Sequence, residues 1–255
     1  MVWEPAQYIY GNYFQNELSN AFLRDFKIKP FGHILDVGCG DGQYSSLLAD
    51  KLKRGHILGI DNSEKMIKHA NQHWARNNLS FETHNIRRFR SAIPFDFVLS
   101  FWCLHWTNID LSFPNIFNLL NNKGRLYAVF SSFSENSILQ VLQELAKKNC
   151  YSALTDRYLN DNRKHTTYFY RVVNILNQLP FKQVKLELKT TLVHFPNLHY
   201  FKNLLLTMPF LGTFPVELVD VLLDDMLDIF QNICQRKYEG ALYYETRPIF
   251  LEAIK

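Results

Sequence analysis

The nine residues I-L-D-V-G-C-G-D-G at positions 34–42 decide the fold of this chain. An apolar run ends there in three glycines, Gly38, Gly40 and Gly42, and residues 43–52 then carry apolar side chains at the spacing of one helix face. A buried parallel strand is almost continuously apolar, and glycine allows positive φ and close approach of a ligand. The stretch therefore predicts a strand, a tight turn and a helix whose first backbone N–H groups face a ligand at the strand end.

The carboxylate in this stretch indicates which ligand is bound. A dinucleotide site has the spacing G-x-G-x-x-G, whereas this turn reads G-x-G-x-G, and Asp36 is unexpected beside a pyrophosphate. A carboxylate at the end of a strand suits a ligand that carries an ammonium or a sulfonium group, and S-adenosylmethionine carries both. The alternative is a tight strand–helix turn in another kind of α/β protein.

The acid and the glycine turn together resemble the first motif of class I S-adenosylmethionine-dependent methyltransferases. The resemblance implies an α/β fold with a Rossmann-like, seven-stranded, mostly parallel sheet and helices on both faces. It also implies S-adenosyl-L-methionine as the cofactor, with Asp36, Gly38, Cys39 and Gly40 in its binding site.

The composition bounds the kind of protein. At 255 residues the chain suits one domain, which we assign to residues 1–255. Hydrophobic residues make up 47% and charged residues 20% of the chain, which is typical of a globular protein. The net charge of +4 gives little support for a dedicated nucleic-acid binder, so we expect no nucleic-acid partner.

The sequence also indicates a location. It contains no early run of about 18 apolar residues and no basic segment ahead of an apolar core, so we expect neither a membrane span nor a signal peptide. The cysteines are widely separated and form neither a metal spacing nor a disulfide framework: Cys39, Cys103, Cys150 and Cys234. We therefore expect a reduced, cytoplasmic protein without a metal site.

The segment ahead of the first strand, residues 1–30, is predicted to be an N-terminal lid over the cofactor. Its apolar spacing predicts an amphipathic helix over residues 17–25, preceded by Tyr8 and Gln15. An ordinary surface helix is the alternative.

A second apolar strand, His56–Asp61, ends in an acid. Asp61 follows Asp36 at close to the roughly 20-residue spacing at which a carboxylate accepts hydrogen bonds from ribose hydroxyls. Asn62 and Met66, at the start of the helix that follows, are placed with it in the cofactor site. The alternative for Asp61 is a simple helix cap.

The third strand, Leu79–Thr83, is followed by Asn85 and Ile86. Methyltransferases of this class commonly carry an acid here that contacts the adenine amino group, and Asn85 departs from that pattern. We expect its carbonyl oxygen to accept from the amine and the N–H of Ile86 to donate to the adenine ring. The arginines that follow are predicted to lie in a solvated loop.

The fourth strand, Phe95–Ser100, runs into F-W-C-L-H-W at positions 101–106. Because the carboxyl end of this strand adjoins the cofactor crevice, we place Ser100 in the cofactor site and expect the aromatic residues to floor a substrate pocket. The sequence S-F-W-C-L-H-W at positions 100–106 resembles that of juvenile hormone acid methyltransferases and, more loosely, that of trans-aconitate methyltransferases. Tyr8 and Gln15 also match the first group, in which a glutamine contacts the substrate carboxylate. The resemblance implies a small-molecule carboxylic acid as substrate.

The second half of the chain predicts further elements and a cap. A helical cap is expected over residues 196–240, inserted between the sixth and seventh strands, and residues 158–166 are expected to be loop. The acidic face of the last helix is interpreted as solvated, with a protein-binding face as the alternative. The remaining predicted elements are helices over 111–120, 138–145, 169–179, 200–208 and 216–234 and strands over 125–130, 182–193 and 246–254.

The predicted reaction is O-methylation of a carboxylic acid. A carboxylate needs no general base because it is already ionised at neutral pH. Gln15 would donate a hydrogen bond from its side-chain amide to the carboxylate, and Trp106 would form part of the pocket wall. If the acceptor were instead a phenol, an amine or a carbon acid, His105 is the candidate base, with a packed histidine as the alternative.

Three other functions compete with this prediction. A malonyl-carrier-protein methyltransferase of biotin synthesis also esterifies a free carboxylate, and Arg157 or Arg171 could pair with its acidic acceptor. A non-catalytic S-adenosylmethionine-binding protein would act on a protein partner, which the sequence does not identify. An NAD-dependent oxidoreductase is disfavoured by the glycine spacing.

Overall fold

The computed structural model describes residues 11–24, 32–52, 54–134, 136–163, 165, 167–208, 211 and 214–255. The predicted lid over residues 1–30 is therefore described only through residues 11–24, and Tyr8 lies outside the described residues.

Seven of the described strands form one sheet, and two more form a separate ribbon. The strands are β1 (His33–Val37), β2 (His56–Asp61), β3 (Leu79–Thr83), β4 (Phe95–Phe101), β5 (Leu120–Phe130), β6 (Gln183–Leu188), β7 (Thr191–His194), β8 (Tyr243–Thr246) and β9 (Ile249–Ile254). The large sheet has the order β3-β2-β1-β4-β5-β9-β6, and β7 pairs with β8. Strands β1–β5 pair in parallel, whereas β9 runs antiparallel to both neighbours. The predicted fold class is confirmed.

The helices alternate with the strands through the first half of the chain. They are α1 (Tyr13–Arg24), α2 (Gln43–Ala49), α3 (Glu64–His73), α4 (Ile109–Leu119), α5 (Ser137–Leu145), α6 (Ser152–Arg163), α7 (Tyr168–Gln178), α8 (Leu198–Leu206) and α9 (Val219–Tyr238), with 3₁₀ turns at Leu104–Trp106, Asn149–Tyr151 and Val216–Leu218. Within the described residues, no helix is both long enough and apolar enough to cross a membrane.

Helices cover both faces of the sheet. α4 and α7 pack on one face against residues such as Leu35 and Val98, and α2 and α3 pack on the other against Ile34 and Ile57. Because successive strand residues point to opposite faces, burial of both faces requires the continuous apolar run seen in β1. The sheet order reverses between β1 and β4, and this reversal opens a crevice at the carboxyl ends of those strands.

A second hydrophobic core lies beside the sheet in a unit that we call the cap: α5, α6, α8, α9 and the β7–β8 ribbon. Phe201 of α8 stacks on Phe230 of α9 with ring centroids 3.9 Å apart, and Phe195 is buried between them and the ribbon. Phe14 of α1 packs into the same core. The predicted cap segment 196–240 contains α8 and α9, and its bounds as a domain stay a prediction.

One predicted loop is wrong. Residues 158–163 continue the helix α6 instead of forming part of a loop over 158–166. Within this segment Asn160 is exposed, whereas Tyr158 and Leu159 pack against the cap core. A helical segment with so few apolar residues has no sequence periodicity that distinguishes it from a loop.

One predicted strand is divided between two sheets, and another starts later than predicted. The strand expected over 182–193 is split into β6, which pairs with β9, and β7, which pairs with β8. The final strand, expected over 246–254, is observed as β9 (Ile249–Ile254) and starts later than predicted: Thr246 is the last residue of β8, and Pro248 lies between the two strands. Proline has no backbone N–H to donate to a neighbouring strand. Pro248 therefore suits the point at which the chain leaves the ribbon and enters the large sheet.

Candidate active site

A cavity of about 780 Å³ lies between the carboxyl ends of the strands and the cap. The volume lies in the range of roughly 300–1,000 Å³ that is usual for ligand sites. The sheet side is contributed by the ends of β1, β2 and β4, and the cap side by Ile138, Arg157, Tyr158, Met208 and Tyr244. The sheet thus supplies one wall and the cap supplies the other.

The structure brings most of the predicted site residues together. Ten of them line this cavity: Gln15, Gly38, Gly40, Asp61, Asn62, Met66, Asn85, Ile86, His105 and Trp106. Asp36 and Cys39 instead border a smaller adjoining cavity of about 40 Å³. Ser100 lines neither cavity, because its hydroxyl is buried and donates to the carbonyl of Val37 at 3.0 Å. Ser100 therefore links β4 to β1.

The glycine turn forms part of the cavity wall, and two of its N–H groups are hydrogen-bonded within the protein. Gly38 has a φ of 77°, and a Cβ there would lie 2.3 Å from the side chain of Cys103. The N–H groups of Gly38 and Cys39 both donate to the carbonyl of Ile60, at 2.7 and 3.1 Å. These two groups are therefore used within the protein. The prediction concerned the first N–H groups of the helix, and the first of these, that of Gln43, donates to the side chain of Asp41 at 3.2 Å.

Asp61 is held at the end of β2 by the main chain around it. One carboxylate oxygen accepts the N–H of Ser63 at 2.8 Å, and the other accepts the N–H of Gly40 at 3.2 Å. Burial raises the pKa of Asp61, and these backbone hydrogen bonds oppose that rise. Asp61 lines the cavity, and a carboxylate has about four acceptor sites, so it fits a ligand with hydroxyl groups to donate.

Asp36 lies behind the glycine turn, almost fully buried. Ser45 donates to it at 2.5 Å. Burial raises the pKa of Asp36 to about 6; the Ser45 hydrogen bond lowers it and the charge of Asp61 raises it. A buried carboxylate of this kind favours a cationic group beside it.

The smaller cavity contains polar atoms without a partner. Three buried oxygens that have no hydrogen-bond partner among the described residues belong to residues lining it: Gln15 Oε1, Asp41 Oδ2 and the Tyr44 hydroxyl. A buried oxygen without a partner is costly, so these atoms fit a small donor group. The volume is close to that of one water molecule or one ammonium group.

Asn85 presents a different group from the one expected. Its carbonyl oxygen accepts both the N–H of Arg87 at 3.0 Å and the side-chain Nε of Arg87 at 3.2 Å. Both lone pairs of that oxygen are therefore used, and the amide N–H₂ is left for a ligand. The oxygen that was expected to accept from an exocyclic amine therefore already has two partners, and a contact between Asn85 and adenine stays a prediction.

Aromatic rings surround His105 at the bottom of the cavity. Its centroid lies 4.9 Å from Trp106 and 5.9 Å from Phe133, and its Nδ1 accepts the N–H of Ser131 at 3.3 Å. Burial lowers the pKa of His105 to about 3, although part of the ring remains accessible through the cavity. The imidazole is therefore neutral at physiological pH.

The charges of the cavity lining are unevenly distributed. Among the described lining residues, Asp61 is the single carboxylate, whereas Arg87 and Arg157 are cationic. Arg157 makes no hydrogen bond or ion pair with a described residue. Arg171, the other arginine considered from the sequence, lies outside the cavity and pairs with Asp110. Among the described residues, no cluster of three or more His, Cys, Asp and Glu side chains could hold a metal ion.

Several lining residues were missed in the sequence. Phe133 follows β5 and has a φ of 56°, so the carboxyl end of a fifth parallel strand was a usable signal. Tyr158, Met208 and Tyr244 come from the cap, where no motif marks them. Phe14 precedes Gln15 on α1 and escaped notice because it reads as a core residue.

The chain was compared with known proteins. A family model described as a methyltransferase domain matches residues 28–185. The chain is 26% identical over 216 residues to juvenile hormone acid O-methyltransferase of Bombyx mori, a match that covers 81% of this chain and 77% of that protein. It is 30% identical over 167 residues to putative methyltransferase 235L of Invertebrate iridescent virus 6, which covers 62% of each chain.

A third relative is trans-aconitate 2-methyltransferase of Escherichia coli, 27% identical over 126 residues and 49% of each chain. The chain thus spans about half of that enzyme and less than two thirds of the viral protein.

Solved structures share the fold. A putative methyltransferase from an antibiotic biosynthesis pathway of Anabaena variabilis has a TM-score of 0.66 at 15% identity, covering 93% of this chain and 96% of that chain. Haemonchus contortus phosphoethanolamine N-methyltransferase 2, in complex with S-adenosyl-L-methionine, has a TM-score of 0.62 at 16% identity, covering 99% of this chain and 57% of that chain.

Proposed function

Because this chain belongs to the class I S-adenosylmethionine-dependent methyltransferase family, we propose that it converts a small-molecule carboxylic acid to its methyl ester. S-adenosyl-L-methionine is the cofactor, and when bound it supplies a methyl group that is already activated on a sulfonium. The task left to the protein is to bind the acceptor, align one carboxylate oxygen and exclude water. Correct placement of this kind is worth roughly 7–11 kcal/mol of barrier.

The chain's own residues divide the cavity into a cofactor half and an acceptor half. Asp61 fits the ribose hydroxyls, and Asn85 with Ile86 fits the adenine edge. Asp36 and two of the buried oxygens without a partner in the smaller cavity, Asp41 Oδ2 and the Tyr44 hydroxyl, fit the ammonium group of the cofactor. Gly38 and Gly40 form the wall between these positions.

The observation that carries the proposal is the chemistry of the acceptor half. Gln15 and Arg157 can donate hydrogen bonds there, and the single lining carboxylate among the described residues, Asp61, lies in the cofactor half. The amide nitrogen of Gln15 makes no hydrogen bond to a described residue. An acceptor half that has hydrogen-bond donors and no carboxylate to act as a base suits an acceptor that is already an anion.

Two of the relatives support the same acceptor class. One is a juvenile hormone acid O-methyltransferase and another a trans-aconitate 2-methyltransferase, so both names denote methylation of a carboxylic acid. The aromatic lining from Phe14, Trp102 and Phe133 adds room for an apolar body behind the carboxylate.

A first experiment tests the cofactor and the acceptor in sequence. Calorimetric titration with S-adenosylmethionine and S-adenosylhomocysteine should give one site per chain, which Asp61→Ala abolishes. Incubation with a panel of carboxylic acids should then give methyl esters and S-adenosylhomocysteine, detected by mass spectrometry. Cofactor binding without product from any acid, amine or phenol would instead favour a non-catalytic binding protein.

Arg157 favours a second candidate within the same chemistry. Its guanidinium lines the cavity from the cap and has no described partner, so an acceptor with a second anionic group would find a counter-charge there. A malonyl-carrier-protein methyltransferase has such an acidic acceptor. Rescue of growth in a biotin-requiring strain would support that candidate over a free small acid.

A further inference from the structure

The main chain after β5 fixes the tautomer of His105. The N–H of Ser131 donates to Nδ1 of the ring at 3.3 Å. A backbone N–H can only donate, so Nδ1 must carry its lone pair, and the proton of the neutral ring lies on Nε2. Nε2 has no partner among the described residues, and the ring lines the large cavity. An N–H donor is therefore left for a ligand in that cavity.

We propose that His105 is a neutral hydrogen-bond donor that holds the non-attacking oxygen of the acceptor carboxylate through Nε2–H, and that it is not a general base. The inference rests on the proposed carboxylate acceptor. A base would need its lone pair on Nε2, which requires the other tautomer. That tautomer sets an Nδ1–H against the N–H of Ser131, so that two donors face each other and a hydrogen bond is lost.

The surroundings of the ring keep it neutral. Trp102, Trp106 and Phe133 face it with centroids 6.5, 4.9 and 5.9 Å away. Burial alone lowers its pKa to about 3, with no charged neighbour contributing. The titratable and charged groups around this part of the cavity are Asp61, Cys103, Arg157, Tyr158, His165 and Tyr168. Burial also raises the pKa values of Cys103, Tyr158 and Tyr168, so these three groups stay neutral near pH 7.

A neutral donor suits the balance of the reaction. The transfer forms a bond between the attacking carboxylate oxygen and the methyl carbon, and it breaks the carbon–sulfur bond with the electron pair left on sulfur. No proton moves, so a base has nothing to accept. A donor on the second oxygen instead fixes the plane of the carboxylate and thereby aims the first oxygen.

The kinetic experiment compares two substitutions with a matched control. His105→Phe keeps a ring without a donor, His105→Gln keeps an N–H₂ donor at similar reach, and His199→Phe changes an exposed histidine of α8. Loss of a hydrogen bond to a charged group should raise the acceptor KM of His105→Phe by about 10- to 100-fold. Cofactor affinity should stay within about twofold of the wild type, and His105→Gln should recover most of the loss. An unchanged acceptor KM in His105→Phe overturns the inference.

The pH profile tests whether His105 titrates in the working range. Its pKa of about 3 predicts that it does not. With a donor, kcat/KM for an ionised acid shows no rise between pH 6 and 9 that depends on His105. A rise present in the wild type and lost in His105→Phe would identify a base and overturn the proposal.

Nitrogen-15 NMR of histidine-labelled protein tests the tautomer without any acceptor, with the His105 signals assigned from the His105→Gln spectrum. A proton on Nε2 at pH 7 is the expected result. A proton on Nδ1, or a charged ring, overturns the inference whatever the acceptor. Failure of the wild type to methylate any carboxylic acid overturns the proposed function instead.

Discussion

The indole N–H of Trp102 donates to the backbone carbonyl of Gln15 at 3.3 Å and so ties α1 to the carboxyl end of β4. Trp102 has a φ of 58°, and Phe14 packs against its ring with centroids 5.0 Å apart. Gln15 and Trp102 both border the large and the small cavity. The hydrogen bond therefore fixes the position of Gln15 relative to the sheet.

Replacement of Trp102 by Phe should loosen this link. Trp102→Phe keeps an aromatic ring and removes the N–H, so the free energy of unfolding should fall by about 1 kcal/mol. The acceptor KM should rise severalfold because Gln15 loses its anchor, while cofactor affinity stays constant. Urea unfolding and steady-state kinetics measure the two effects.

Trp74→Phe is the matched control for this substitution. The indole N–H of Trp74 is buried without a hydrogen-bond partner among the described residues. Its removal costs no hydrogen bond, so stability should be unchanged or slightly higher. Equal losses in both variants would show that the Trp102 N–H adds nothing to stability.

Gln15 itself should govern the acceptor and not the cofactor. Gln15→Ala removes a donor to an anion and should lower kcat/KM for the acceptor by about 10- to 100-fold. Gln15→Glu should lower it further, because a carboxylate repels the acceptor. Calorimetry should show unchanged S-adenosylmethionine binding in both. Asn20→Ala, exposed on the same helix, is the control, and normal turnover in Gln15→Ala would remove the residue from the site.

Asp61 should govern the cofactor. Asp61→Ala removes the carboxylate that we propose accepts two ribose hydroxyls, and it should weaken S-adenosylmethionine binding by about 100-fold or more. It also leaves the N–H groups of Gly40 and Ser63 without their acceptor, so a lower unfolding temperature is expected as well. Asp50→Ala, at an exposed ion pair with Arg76, should change neither property. Asp61→Ala protein that stays folded and binds normally would contradict the assignment.

Asp36 should make stability depend on pH in an unusual direction. Its pKa of about 6 lies above the ordinary value, so the folded protein binds this proton more tightly than the unfolded chain does. The contribution of Asp36 is therefore most favourable below about pH 4 and is lost as the pH rises through 6, by up to about 3 kcal/mol.

Asp36→Asn isolates that contribution, since asparagine still accepts from Ser45. The stability difference between wild type and variant, measured by urea unfolding, should change between pH 4.5 and 7.5 in favour of the variant. A constant difference across that range would show that Asp36 titrates normally.

The cavity lining that we assign to the cofactor was predictable from the sequence for a physical reason. In a parallel sheet each strand, turn and helix are adjacent in the chain. Gly38, Asp61 and Asn85 therefore each lie at the end of their strand or within two residues after it. What the sequence did not show is which backbone groups are already used. The N–H of Gly38 is taken by Ile60 of the neighbouring strand, and that pairing is set by sheet register.

The cavity lining that we assign to the acceptor was less predictable because it is assembled by tertiary packing. Tyr158 and Tyr244 meet in the cavity although 86 residues separate them, and each belongs to an element that was misjudged in type or in bounds. The split of residues 182–193 between two sheets depends on partner strands some 60 residues away. Local periodicity carries no information about such pairing.

Arg157 should select acceptors with a second anionic group. It reaches the cavity from α6 and has no described partner, whereas Arg171 on α7 is paired with Asp110 outside the cavity. Arg157→Gln should therefore raise the KM for dicarboxylic acids by about tenfold or more and leave monocarboxylic acids almost unaffected. Arg171→Gln should change neither KM.

Each variant is measured with a dicarboxylic and a monocarboxylic acid of equal length, so the KM for the monocarboxylic acid is the control for the KM of the dicarboxylic acid. The exposed position of Arg157 means that its substitution should alter stability by no more than about 0.5 kcal/mol. Equal changes in KM for both acids would place Arg157 at the reacting carboxylate, and no change for either would place it outside acceptor recognition.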